Sequence, residues 1–459
     1  MVAASPMYRV GWTMKKFNAT MINDIWPETA FFTLIATAVA IITESNIHNL
    51  AVGSSLLTVL GTGLGLVISF RTSSAYERYQ EGRKMWSNIA IASRNIAQII
   101  WIHVPLERTD KDNNRLTTIQ SVIEKKSMIN LVQGFSVAVK HFLRGEIGIY
   151  SEDLYPLICW LPCYANATGP KTAADMHEEH TLHTDSMDPE KALTTIQSHR
   201  PLKPARNPPP ASLLDCFPFL RIFAIFTRCC RRKRKHVRRD ALGRKIESSI
   251  TESSVPLEIT IYLNSYLAYL LRNGWLQPAL ATGLVNNIAS LQDALSNLDR
   301  IGTTPLPFAY QAHLRMSLWL YLLVLPFQIV STMGYMTIPG TALASFLLCG
   351  FLEIGQEIEN PFEYNENDLN MDEFCCAIQR ELHEVAAYTM LDPAAFVFTS
   401  WNQPFAPADR RNAEELTRMP EEYRHADHPD VDPGMASIQR TLLKNWRDVD
   451  LITRQQSII

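Results

Sequence analysis

The chain has 459 residues, a formal net charge of −3 and a mean hydropathy of −0.05. That length allows two to four soluble domains, or one membrane domain with extramembrane parts. The composition excludes a collagenous or wholly disordered chain. The near-neutral averages conceal a very uneven placement of charge.

Residues 29–43 form a run of 15 without Asp, Glu, Lys or Arg, residues 45–70 a run of 26 interrupted only by His48, and residues 316–352 a run of 37. A helix crosses the hydrocarbon core with about 20 apolar residues. The first run reaches that length by borrowing Ile25 and the interfacial aromatic Trp26. The third is too long for one span and carries a natural break, Met333-Gly334-Tyr335-Met336-Thr337-Ile338-Pro339-Gly340. The expectation is four spans, at ~26–44, ~50–70, ~313–333 and ~336–353. Soluble helices of such length carry a polar face, and these do not.

Basic residues set the orientation. Arg9, Lys15 and Lys16 precede the first span, Arg71, Arg78, Arg83 and Lys84 follow the second, and Arg300 and Arg315 precede the third. The connector after the first span holds Glu44 and no basic residue, and the last hairpin carries no charge. Both termini and the large middle region are therefore expected in the cytoplasm, in a multi-pass protein of the plasma membrane. The first apolar segment starts too late for a signal peptide. The eight cysteines form no C-x-x-C pair, which argues against zinc, and cytoplasmic placement predicts reduced thiols.

Residues 71–160 read as helix leaving the membrane. Helical spacing runs from Met85 to Ile102 and from Ser127 to Leu143, with a polar turn, Glu107 to Arg115, between them. Residues 165–250 read as a low-complexity cytoplasmic insert. It holds the run His177-Glu178-Glu179-His180-Thr181-Leu182-His183, which is not H-E-x-x-H, and then a Pro-rich stretch. Its basic segment, 228–239, has eight Lys or Arg in twelve residues. Cys229, Cys230, Arg231, Arg232 and Lys233 there are a candidate lipid anchor, by palmitoylation and attraction to anionic lipid; the alternative is a solvated basic linker. Residues 255–298 resume helical patterning. From Glu353 to Glu373 there are eight carboxylates and no Lys or Arg, and the tail 401–459 reads as partly ordered.

The second span holds Gly61-Thr62-Gly63-Leu64-Gly65. With no strand before it, this is a close-packing run of small residues rather than a nucleotide loop. Val59, Thr62, Leu66, Phe70, Ser73 and Glu77 share one helical face. If several copies surround an axis, Leu66 and Phe70 form hydrophobic rings that gate by dewetting. The alternative is a face toward lipid or a neighbouring helix.

Phe70-Arg71-Thr72-Ser73-Ser74-Ala75-Tyr76-Glu77-Arg78-Tyr79-Gln80-Glu81-Gly82-Arg83-Lys84-Met85-Trp86 resembles the signature after the second span of the bestrophin-like anion channel family. Glu357-Ile358-Glu359-Asn360-Pro361-Phe362, with Asn367-Asp368-Leu369 close behind, is similar to that family's Glu-Asn-Pro-Phe segment after the fourth span. The resemblance covers roughly 8–160 and 255–400. It implies an all-α membrane protein with four transmembrane helices per subunit and a helical cytoplasmic region, pentameric around a central pore. By motif position it implies a neck of Thr62, Leu66 and Phe70, where Thr62 departs from the family's apolar residue. Arg71 and Glu77 would be electrostatic contributors, with a snorkelling or ion-paired helix-end arginine as the alternative for Arg71. It also implies a cytoplasmic aperture near Ala279. Glu359, Asn360, Pro361, Phe362, Glu363, Glu366 and Asp368 would form a structural or regulatory segment. Glu363, Glu366 and Asp368 offer oxygen ligands for calcium, although the dense Asp run of animal members is missing. The alternative is that these acids cap helices and pair with Arg78 or Arg83.

The expected function is passive conduction of anions, chloride foremost, by a homopentamer among membrane lipids. No cofactor is required, and neither nucleic-acid binding nor enzymatic chemistry is indicated. A cation channel of the same fold and a non-conducting scaffold acting through the basic insert are the alternatives.

Overall fold

The computed structural model describes residues 20–165, 202–208, 254–388, 392–418, 422–424 and 432–443, apart from 46, 54, 110–114, 147 and 366. The His-rich run, the basic segment with Cys229, Cys230, Arg231, Arg232 and Lys233, and Glu366 lie outside the described residues. The chain forms two compact units, Met1–Ala386 and Ala387–Ile459; the division falls earlier than the 400/401 boundary read from the sequence.

The first unit is mostly helical: α1 (Ile22–Glu44), α2 (Ser55–Gln98), α3 (Thr118–Leu143), α4 (Val255–Arg272), α5 (Pro278–Thr303), α6 (Phe308–Met333), α7 (Thr337–Glu357) and α8 (Met371–Ala387). The polar turn after α2 contains a two-stranded antiparallel hairpin, Arg108–Thr109 against Arg115–Leu116, which the all-helical expectation missed. Strands of two residues leave no periodicity to read.

Two stretches, Asp24–Glu44 and Phe308–Glu357, are long and apolar enough to cross a membrane. The second is broken into α6 and α7 by a 3-10 turn, Gly334–Met336, at the expected place. Gly334 has φ of +52°, and a Cβ there would stand 2.9 Å from Glu44 Oε1. Glycine therefore ends α6 and brings the hairpin tip against the end of α1. At the opposite ends of these helices, Arg315 reaches Glu28 at 3.0 Å and Glu353 at 3.6 Å. Ile25, Phe32, Leu64, Ile68, Leu314, Leu318, Leu322 and Leu352 form their common core. Leu34, Leu320 and Leu343 point outward, each more than 60 % exposed, an apolar exterior suited to lipid.

α2 is one uninterrupted helix of 44 residues, roughly 66 Å at about 1.5 Å per residue. Its upper part packs on α6 and α7 and its lower part on α3 and α5. The lower core holds Trp86, Ile89, Ile96, Phe135, Leu263, Leu284, Ile288 and Leu291. α5 buries Ala281, Leu284, Ile288, Leu291, Ala294, Leu298 and Ile301, spaced three or four residues apart, as an amphipathic helix does. α3 starts in a capping box: Thr117 Oγ1 accepts from the Gln120 N–H, and Gln120 Oε1 accepts from the Thr117 N–H at 2.9 Å. Every residue of α3 from Leu131 to His141 is buried, so it is the central rod of the lower half.

The turn after α7 docks on α2. Phe362 is fully buried, and a Cβ on Gly82 would meet its ring at 3.1 Å. The two sequence motifs thus touch, a glycine in one making the notch that a phenylalanine in the other fills.

The second unit is built around Asp409, which pairs with Arg411 and accepts from the Tyr423 hydroxyl at 2.8 Å. Tyr423 lies 3.0 Å from Thr441 Oγ1 on the short helix Met435–Leu442.

Two predictions follow from the packing. Phe362→Ala leaves a cavity against Gly82 and is expected to lower stability by about 3–5 kcal/mol, read as the unfolding midpoint in detergent. Lys125, with a fully buried side chain, donates to the Trp101 carbonyl at 3.0 Å. Burial, and then the nearby Arg108, lower its pKa from 10.5 to about 8. The folded state releases this proton first, so the unfolded chain binds more protons between about pH 8 and 10.5. Stability is therefore expected to rise with pH across that window, and Lys125→Met should remove that part of the rise.

Candidate functional site

The upper part of α2 presents two faces. Leu64, Ile68, Arg71 and Ala75 are buried against the other helices, while Val59, Thr62, Leu66, Phe70, Ser73 and Glu77 are exposed on the opposite face. Leu66 is 58 % and Phe70 62 % exposed. The expected neck residues therefore share a helix face that the chain itself leaves uncovered, with Glu77 two turns below Phe70. Ala279 is exposed at the start of α5.

Arg71 stands apart from that face. It is 3 % exposed, and Gly355 of α7 lies against its Cγ. Its Nη2 is 3.9 Å from Glu359 Oε2, and neither Nε nor Nη2 has a hydrogen-bond partner among the described residues. Glu359 is itself buried, accepting from the Leu306 N–H at 2.6 Å and from Gln311 Nε2 at 3.1 and 3.2 Å. The pair joins α2, the start of α6 and the turn after α7. This is the ion-paired arrangement that the sequence left open as an alternative for Arg71.

Arg78 acts as a clamp. Its guanidinium donates to the carbonyls of Ile301, Thr304 (2.6 Å) and Glu359 (3.3 Å). It thereby satisfies the carbonyls that the end of α5 leaves open. Arg83 donates to Ser87 Oγ at 2.9 Å and lies 4.4 Å over the Phe374 ring. In place of the alternative pairing of the acidic side chains with Arg78, its donors go to backbone carbonyls, one of them that of Glu359.

Asn360 Nδ2 donates to Glu363 Oε1 at 3.0 Å, and Asp368 Oδ2 accepts from the Asn365 N–H at 2.7 Å. Pro361 is buried, and its carbonyl accepts from the Leu369 N–H at 3.0 Å. Burial, opposed by the Asn365 N–H and reinforced by Glu363 and Glu357, pushes Asp368 up to about 7. Among the described residues no three His, Cys, Asp or Glu side chains are arranged to hold a metal. Glu363 and Asp368 each accept one internal hydrogen bond in this turn.

One cluster escaped the sequence reading. Lys140, His141 and Arg144 at the end of α3 are gathered with Glu146, Asp153, Tyr364 and Asp372. Three basic residues closing the continuously buried stretch that starts at Leu131 were the signal available.

The family profile described as bacterial/fungal bestrophin protein matches residues 5–202 and 220–384. A voltage-dependent anion channel-forming protein of Nostoc is 29 % identical over 325 residues, 71 % of this chain and 75 % of its own length. A protein of the same description from Synechocystis is 26 % identical over 324 residues, 70 % of this chain and 74 % of its own. The crystal structure of a bestrophin homologue from Klebsiella pneumoniae, carrying a tyrosine-to-alanine substitution, superposes with a TM-score of 0.52 at 19 % identity. It covers 80 % of this chain and all of that one. Matched over most of its length by the family profile, the chain belongs to the bacterial/fungal bestrophin family.

Proposed function

We propose that this protein is an anion channel of the plasma membrane, passing chloride foremost, down its electrochemical gradient, through a pore at the centre of a homopentamer. Each subunit contributes four spans, with α2 lining the pore and both termini in the cytoplasm. The observation that carries this reading is the uncovered α2 face: an apolar stripe at membrane depth, ending in Phe70, whose opposite side is fully packed. Such a stripe suits partners of its own kind around an axis, where rings of Leu66 and Phe70 exclude water from a narrow neck. Thr62 makes the upper ring wetter, and Ala279 makes the cytoplasmic aperture wide. The anion channel-forming relatives from Nostoc and Synechocystis support the ion class.

In this reading Arg71 acts at a distance, through a charge only loosely matched by Glu359 at 3.9 Å. The segment Glu359–Asp368 braces the inner end of α2, and the basic insert, through Cys229 and Cys230, touches lipid. A second reading, cation conduction, is favoured by one observation: Glu77 is on the exposed face while Arg71 is not.

Currents through purified protein in planar bilayers test both. Phe70→Ala is expected to raise open probability or alter rectification by several-fold, as removal of a hydrophobic ring should. A residue facing lipid leaves both unchanged. In asymmetric salt the reversal potential should lie near the chloride equilibrium value; a value near the cation's would favour the second reading, and Glu77→Gln should then shift it toward chloride.

A further inference from the structure

The family profile passes over residues 203–219, yet the described part of this addition is docked on the family frame. Lys203 bridges Ser151 in parallel fashion. Its N–H donates to the Tyr150 carbonyl at 2.8 Å, and its carbonyl accepts from the Glu152 N–H at 2.9 Å. The Ala205 carbonyl accepts from Lys140 Nζ at 3.2 Å. The Asn207 N–H donates to the Tyr364 hydroxyl at 3.0 Å, and Asn207 Nδ2 donates back to the Pro204 carbonyl at 3.1 Å.

From Tyr364 the contacts form a circuit. Its hydroxyl donates to Glu146 Oε1 at 2.5 Å, and Glu146 Oε2 meets His141 Nδ1. His141 Nε2 faces Asp153 Oδ1 at 2.9 Å, and Asp153 Oδ2 accepts from Lys140 Nζ at 2.5 Å. Lys140 closes the path on Ala205. The circuit begins and ends on residues 205–207. It also holds Asp372 of α8, which accepts from Lys140 at 2.9 Å and from Arg144 at 3.0 Å, and the Arg144 guanidinium lies 4.1 Å over the Tyr364 ring. Lys140, His141 and Arg144 are all nearly inaccessible to solvent, so loss of one member leaves its neighbours desolvated and unmatched.

We propose that residues 202–208 are a strap that regulates conduction. By holding the Tyr364 hydroxyl and completing this circuit, they set how firmly the turn after α7 grips the inner end of α2. Tyr364 is two residues from Phe362, which fills the notch at Gly82. A shift of the tyrosine is therefore delivered to the pore helix one residue pair away. The strap's hydrogen bonds go to Tyr150, Glu152, Lys140 and Tyr364, none of them on α2, so it acts on open probability and leaves ion preference alone. The proposal rests on the channel reading, and the test separates the two.

Wild type, Tyr364→Phe, Asn207→Pro and Lys203→Pro are compared in planar bilayers. Tyr364→Phe keeps the ring under Arg144 and removes only the hydroxyl, and each proline removes one docking N–H. Loss of one such hydrogen bond, about 1 kcal/mol, corresponds to about a fivefold change in open probability, with the reversal potential unchanged. Tyr364→Phe, which also loses the hydroxyl's bond to Glu146, should not be worsened by adding Asn207→Pro. Amide exchange at 203 and 207 should be slow in the wild type and accelerate at 207 in Lys203→Pro, at 203 in Asn207→Pro and at both in Tyr364→Phe, at an unchanged elution volume of the assembled protein. The proposal is overturned if exchange accelerates while open probability stays at the wild-type value, or if the wild-type amides at 203 and 207 exchange as in a free peptide. A wild type that passes no ion under any condition sinks the channel reading instead, and the strap falls with it.

Discussion

One continuous helix lives in two environments, and the structure is organised around that constraint. The upper part of α2 packs on α6 and α7, the lower part on α3 and α5. A helix roughly 66 Å long, at about 1.5 Å per residue, bends or frays unless its middle is gripped. The grip sits at the boundary between the two halves. Phe362 seats on Gly82, Arg78 takes the carbonyls at the end of α5, and Arg71 meets Glu359. Each contact ties α2 to the turn after α7 or to the link between α5 and α6.

The arginines of the first unit do different physical work. Arg315 is half exposed between Glu28 and Glu353, where a pair adds little to stability. Arg71 and Arg108 are buried, and burying a guanidinium costs more than an imperfect partner returns. Arg108 recovers part of the loss from Glu124 at 2.9 Å and from the Trp275 ring at 4.7 Å. Among the described residues Arg71 forms its ion pair with Glu359, at 3.9 Å, and it is held by the packing around it. Burial of this kind specifies geometry more than it stabilises.

Much of the fold was legible because its signals are local. Charge-free runs mark α1, α6 and α7, Met333–Gly340 marks the hairpin, and periodicity from Leu284 to Ile301 marks α5. Length is local too, and it was misjudged only where a hairpin of two-residue strands left no period. The neck candidates were legible as a stripe, since Thr62, Leu66 and Phe70 recur at helical spacing. The grip was not legible, because Gly82 and Phe362 are nearly three hundred residues apart and nothing in either motif names the other. The circuit on Tyr364 was less legible still. It draws on backbone groups of residues 203–207, and backbone donors carry no sequence signature.

By itself, then, the sequence determined the membrane class, the helical segments, the stripe along α2 and the family motifs. Each of these follows from residue type and spacing along one element. Only the tertiary structure decided which residues those elements bring together. It turned Arg71 inward to Glu359, gave Arg78 to the end of α5 and drew 202–208 onto Tyr364. Hydrogen bonds and ion pairs depend on distances of about 3 Å between side chains remote in the chain, and those distances exist only after the helices have packed.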